Sequence, residues 1–198
     1  PDGFLRTLNG VYPAGGRFDD GSFEGTVNGE GNGGNGVTPI MLAAWTDFMI
    51  AETHLVNGNI AGARANLEAG MTKSTQKVHS FIVHEDEPID SAIDNHRNAI
   101  LASYDASTSP QERWNVVFEQ YWIALYGNGI DAYNAYRRTG YPNTLQPNIE
   151  PNPGGFVRSF PYPASFVETN KNVSQKSSVG LKVFWDNNPD SPSFPSAN

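Results

Sequence analysis

Residues 38–79, TPIMLAAWTDFMIAETHLVNGNIAGARANLEAGMTKSTQKVH, decide the fold. Met41, Ala44, Trp45, Phe48, Ala51 and Leu55 recur at helical spacing and make one apolar stripe. Thr38 is a suitable N-cap, Pro39 suits a first helical position, and Asn57-Gly58 is a helix end. Ile60, Ala63, Leu67, Met71 and Val78 make a second stripe after almost no linker. Two apolar rods joined so tightly predict an antiparallel helical hairpin.

The same signals continue downstream. Ile89, Ile93 and Ile100 predict a third helix to about Tyr104. Ser109-Pro110 opens a fourth, whose stripe is Trp114, Val117, Phe118, Tyr121 and Leu125. Gly127-Asn128-Gly129 breaks it, and a short fifth helix runs near Ile130 to Arg138. On this reading Tyr121, Trp122, Tyr126, Tyr133 and Tyr136 are core aromatics. Beyond Pro142 a helical turn near 164–168 and an extended run at 179–185 are expected, with a frayed tail at 189–198.

Upstream, residues 1–37 read as irregular. Gly15-Gly16, Asp20-Gly21, Asn28-Gly29 and the run from Gly31 to Gly36 all favour turns. Glycine supplies 20 of 198 residues, about 10% against a usual ~7%, and much of the excess lies here. The expected organisation is a glycine-rich loop region at 1–37, a helical-hairpin core at 38–142 and an irregular C-terminal region at 143–198.

The two hairpins also resemble a degraded tetratricopeptide pattern, in which a small residue marks the helix contact. Ala63, Leu67 and Gly70 fall at its second-helix spacing, and Ile50, Ala51 and His54 at its first. Trp114, Val117 and Tyr121 match the first helix again, but Phe118 fills the small-residue slot. Generic hairpin packing and true tetratricopeptide geometry both remain open on sequence.

Composition removes several function classes. With 38% hydrophobic and 17% charged residues the chain suits a globular protein. A net charge of -8, with Arg137-Arg138 the one adjacent basic pair, opposes nucleic-acid binding and gives no attraction to anionic lipid. Without cysteine there is no disulfide, thiolate nucleophile or thiolate metal site. No stretch approaches the ~20 apolar residues of a membrane span. The start at Pro1-Asp2-Gly3 suggests a mature or trimmed chain.

Chemistry-bearing patterns are incomplete. Gly29 to Gly34 spells G-x-G-x-x-G, but no strand leads into it, so a glycine-rich tract matches by chance. Ser74 to Lys77 spells S-x-x-K without its partner motifs, and G-x-S-x-G is absent. His54, His79, His84 and His96 form no metal-ligand pattern. The acids Glu85, Asp86 and Glu87 ahead of Pro88 suit a helix N-terminus. Oxygen ligands leave little spacing signature, so a calcium ion at Asp19, Asp20 or those acids stays open. No catalytic residue, metal site or cofactor is expected, and a glycoside hydrolase fragment ranks last among the functions. The remaining resource is aromatic, since Tyr and Trp in loops can stack on sugar rings.

The C-terminal half carries a resemblance. Arg137-Arg138-Thr139-Gly140-Tyr141-Pro142 resembles the R-R-T-G-Y-P segment of the SusD/RagB family. Arg158 with Phe160-Pro161-Tyr162-Pro163 is similar to its R-x-x-P-Y-P turn, and Asn170 and Asn172 to the asparagines that follow. Phe184-Trp185-Asp186 is similar to its aromatic-aromatic-Asp ending, and Ala51-Glu52 to the end of a family helix. The likeness covers most of residues 37–186, the C-terminal part of such a protein.

The resemblance implies a mostly α fold, a SusD-like α-α superhelix of antiparallel hairpins with long irregular Gly/Pro-rich loops. It implies a surface lipoprotein of the outer membrane in Bacteroidetes-type bacteria, lipid-anchored through an N-terminal part not in this chain. Its partners would be an oligosaccharide or other nutrient and a SusC-like TonB-dependent transporter. The loop holding Tyr12, Phe18, Asp19, Asp20 and Phe23 is the expected ligand wall, being aromatic, polar and glycine-flexible. The alternative is a tetratricopeptide-like module that binds a peptide and no glycan.

Overall fold

A computed structural model describes residues 37–80, 90–146, 156–186 and 188. Among them are six helices and no strand: α1 (Ala43–Val56), α2 (Ile60–His79), α3 (Asp90–Ala106), α4 (Pro110–Ala124), α5 (Gly129–Thr139) and α6 (Ala164–Thr169). The mostly α expectation holds. The chain divides into two compact units, Pro1–Ala132 and Tyr133–Asn198.

In the first unit α1 and α2 form the expected antiparallel hairpin. Asp47 faces Lys73, Phe48 faces Gly70 and His54 faces Asn59, so residue numbers rise along one helix as they fall along the other. Gly58 makes the tight link at φ +69, and Asn59 caps α2 by accepting the Gly62 N–H at 2.9 Å. Close approach needs the missing side chain at Gly70. A Cβ there would lie 2.8 Å from the Phe48 ring.

The α1–α2 pair packs on α4, and α3 packs on α2 and α4. Trp45, Phe48, Ala51, Ala63, Leu67, Val117 and Phe118 form the dry centre, each at most 1% exposed. Burying a side chain such as Trp45 or Phe48 contributes about 1.5–3 kcal/mol. The Trp45 indole N–H is not wasted: it donates to the Ala124 carbonyl at 2.7 Å, satisfying an orphan acceptor at the end of α4. Phe48 stacks on Tyr121 with centroids 5.3 Å apart. Ser109 and Glu112 close a reciprocal capping box at the start of α4, with Pro110 at its first position.

Several expectations are corrected. The first helix begins at Ala43, not at Thr38-Pro39, and Leu42 holds the extended N-cap conformation. Ile40 and Met41 are 84% and 60% exposed, so no burial offsets the cost of ordering another turn. In α3 the buried residues are Leu101 and Tyr104, while Ile93 and Ile100 are half-buried and Ile89 lies outside the described residues. Tyr126 sits past the end of α4 and is 48% exposed, so it is no core residue. The run at 179–185 is not a continuous extended segment, since turns occupy 179–180 and 184–185.

In the second unit α5 ends as its sequence requires. Gly140 has φ +77, a left-handed conformation that Gly adopts without a Cβ penalty, and its N–H donates to the Tyr136 carbonyl at 2.7 Å. The irregular segments are tied back by the Val179 carbonyl, which accepts the N–H groups of Arg158 and Ser159 at 2.8 and 3.0 Å.

Candidate functional site

The ligand wall expected at Tyr12, Phe18, Asp19, Asp20 and Phe23 lies outside the described residues, as do Gly29 to Gly34 and the acids at 85–87. Among the described residues no group of three His, Cys, Asp or Glu is placed to hold a metal ion. His54 is committed to Asn59 at 3.1 Å.

The signature residues of the second unit converge on two arginines. Arg158 is 4% exposed, and its Nε donates to Asp186 Oδ2 at 2.7 Å. Its Nη2 donates to Asp186 Oδ1 and to the Asn188 carbonyl, giving a forked, charge-assisted pair. Arg137 is 8% exposed and donates to the Arg158 carbonyl and to Asn134 Oδ1. Its guanidinium lies 4.3 Å from the Tyr133 ring centroid and 4.6 Å from that of Trp185. Asn188 completes the cluster by donating to the Tyr136 and Arg137 carbonyls at 3.1 and 3.0 Å, satisfying the last turn of α5.

These arginines fasten three distant segments together and face inward. Read from sequence, Arg137 and Arg138 serve as cations at a helix C-terminus. Arg137 does more, because it is buried between two rings. Arg158 and Asp186 were legible as motif letters, but their pairing across 28 residues has no local signal. Burial pushes the Tyr136 hydroxyl up to about 12, against a partial pull downward from the Arg158 charge.

The first unit holds a cavity of about 280 Å³ between its helices. Phe48, Met71, Ile93 and Ile123 give it apolar walls, and Ser74, Thr75, His96, Arg97 and Gln120 are its polar groups. Thr75 Oγ1 donates back to Met71 O at 2.9 Å, and Arg97 is held by Asp94 at 2.5 Å. None of the described residues that line it is a carboxylate.

Among the described residues no helix is long and apolar enough to cross a membrane. Residues 35–188 match the family model SusD-like, described as Susd and RagB outer membrane lipoprotein. No curated protein and no solved structure matches the chain.

Proposed function

Because this chain belongs to the SusD-like family of outer membrane lipoproteins, we propose that it binds a nutrient glycan at the cell surface and passes it to a TonB-dependent transporter. The observation that carries this reading is the inward-facing Arg137–Arg158–Asp186–Asn188 cluster. A signature used up in holding segments together leaves ligand recognition to loops, and loops on a rigid scaffold suit binding. The protein acts on its glycan by capture alone, at the outer face of the outer membrane.

The ligand wall in this reading includes Tyr12, Phe18, Asp19, Asp20 and Phe23, whose rings would stack on sugar faces while the carboxylates bond hydroxyls. Calorimetry against a glycan panel tests it. Changing Phe18 and Phe23 to Ala should weaken glycan affinity by about tenfold or more. Unchanged affinity removes this loop from the site, and a chain that binds peptides but no glycan favours the tetratricopeptide-like module instead.

A further inference from the structure

Residues 162–175 of the second unit form a loop tied at its neck by one side chain. The Tyr162 N–H donates to Gln175 Oε1 at 2.9 Å, and Gln175 Nε2 donates to the Tyr162 carbonyl at 2.8 Å. Gln175 Oε1 also accepts the Lys176 N–H at 2.9 Å. Between the ends run α6 and a turn in which Asn170 Oδ1 accepts the Asn172 N–H at 3.1 Å. Compact loops of this length with pinned ends are frequently functional.

The neck presents aromatic rings to solvent. Phe160, Tyr162 and Phe166 are 70%, 41% and 45% exposed. Tyr162 and Phe166 meet edge to face with centroids 5.9 Å apart, and the Lys176 ammonium lies 5.0 Å from the Tyr162 centroid. Aromatics in turns ordinarily pin a loop onto its scaffold, which hides them. Here hydrogen bonds do the pinning, and the rings are left outside.

Charge is reversed locally. The chain carries -8 overall, yet residues 156–186 hold four bases and two acids. Arg158 and Asp186 neutralise each other inside, and Lys176 is the cation that stands over the Tyr162 ring at this corner. A cation beside exposed rings and amide side chains fits an anion that has apolar faces.

We propose that this clamped corner is a contact site for an acidic oligosaccharide, one carrying uronate carboxylates. The sugar packs its C–H face on Tyr162 and Phe166, its carboxylate meets Lys176, and Asn170 and Asn172 flank the hydroxyls. Angled rings among amides suit a sugar better than a lipid surface, which calls for clusters of four or more cations. This rests on the glycan-receptor reading and names the ligand class for it.

The test is calorimetry on the whole chain with oligogalacturonide, oligoalginate and the carboxyl-reduced form of each. At least one acidic oligomer should bind about tenfold tighter than its reduced counterpart, an advantage that ~1 M salt abolishes. Tyr162→Ala should weaken both forms about tenfold, and Lys176→Gln should remove only the acid preference, with helical circular dichroism unchanged in each. Equal binding of acidic and reduced forms overturns the proposal, as does a preference that survives Lys176→Gln. Binding of neutral glycans with Tyr162→Ala silent removes this corner and leaves the receptor reading standing. Failure of every glycan, with poly-glutamate bound instead, overturns both.

Discussion

Arg158 and Asp186 show what a single residue decides in this molecule. Their side chains are 5% and 0% exposed, so neither charge has water to fall back on. Removing one partner from such a pair leaves a bare buried charge, at a cost of about 3–5 kcal/mol. Asp186→Asn should therefore lower urea-unfolding stability by that amount, a large share of the ~5–15 kcal/mol typical of a domain. A double change, Arg158→Met with Asp186→Leu, should cost less than the single one. Tyr136 supplies a second residue-scale prediction. Its folded-state value is raised to about 12 by burial, above the ordinary 10.0. The unfolded chain ionises first as pH rises, so the stability from this hydroxyl is complete below pH 10 and is lost between 10 and 12. Tyr104, Tyr133 and Tyr141 are raised by burial as well and add to the same decline. Tyr136→Phe should flatten that alkaline limb in a series of denaturant titrations, with little change in its shape near neutrality.

At the scale of elements the α1–α2 hairpin depends on a side chain that is absent. Gly70→Ala would place a methyl 2.8 Å from a Phe48 ring already stacked on Tyr121, which leaves the ring little room to yield. We expect a loss of about 1–3 kcal/mol by thermal or urea unfolding, although Ala is the better helix former. Phe48→Leu in the same chain should recover part of it. Much at this scale was readable beforehand. The Asn57-Gly58 link, the Ser109-Pro110 start and the Gly140 stop all follow from local chemistry and appear as read. The start of α1 was not readable, because Thr38-Pro39 is a sound local signal that tertiary packing declines to use. Tyr126 differs from its core reading because it lies past Ala124, where α4 has already ended, and is 48% exposed.

Across the whole molecule charge is segregated along the chain. Residues 1–132 carry seven bases and seventeen acids, whereas residues 133–198 carry six and four, so the net values are -10 and +2. That contrast was present in the sequence, but its meaning was not, because only coordinates bring Lys176 over Tyr162 from fourteen positions away. Composition points to the aromatic loop at 12–23, whereas the corner at 160–176 reads on sequence as a family turn. Its R-x-x-P-Y-P letters name Tyr162, while the Gln175 amide that holds it carries no signature at all. The neck itself has a consequence for engineering. Gln175 closes the loop through the main chain of Tyr162, so nothing between them is needed for closure. Doubling the enclosed length should cost only about 0.6 kcal/mol of chain entropy. The stretch from 163 to 174 is thus a cassette, open to replacement by foreign sequences while its frame stays put.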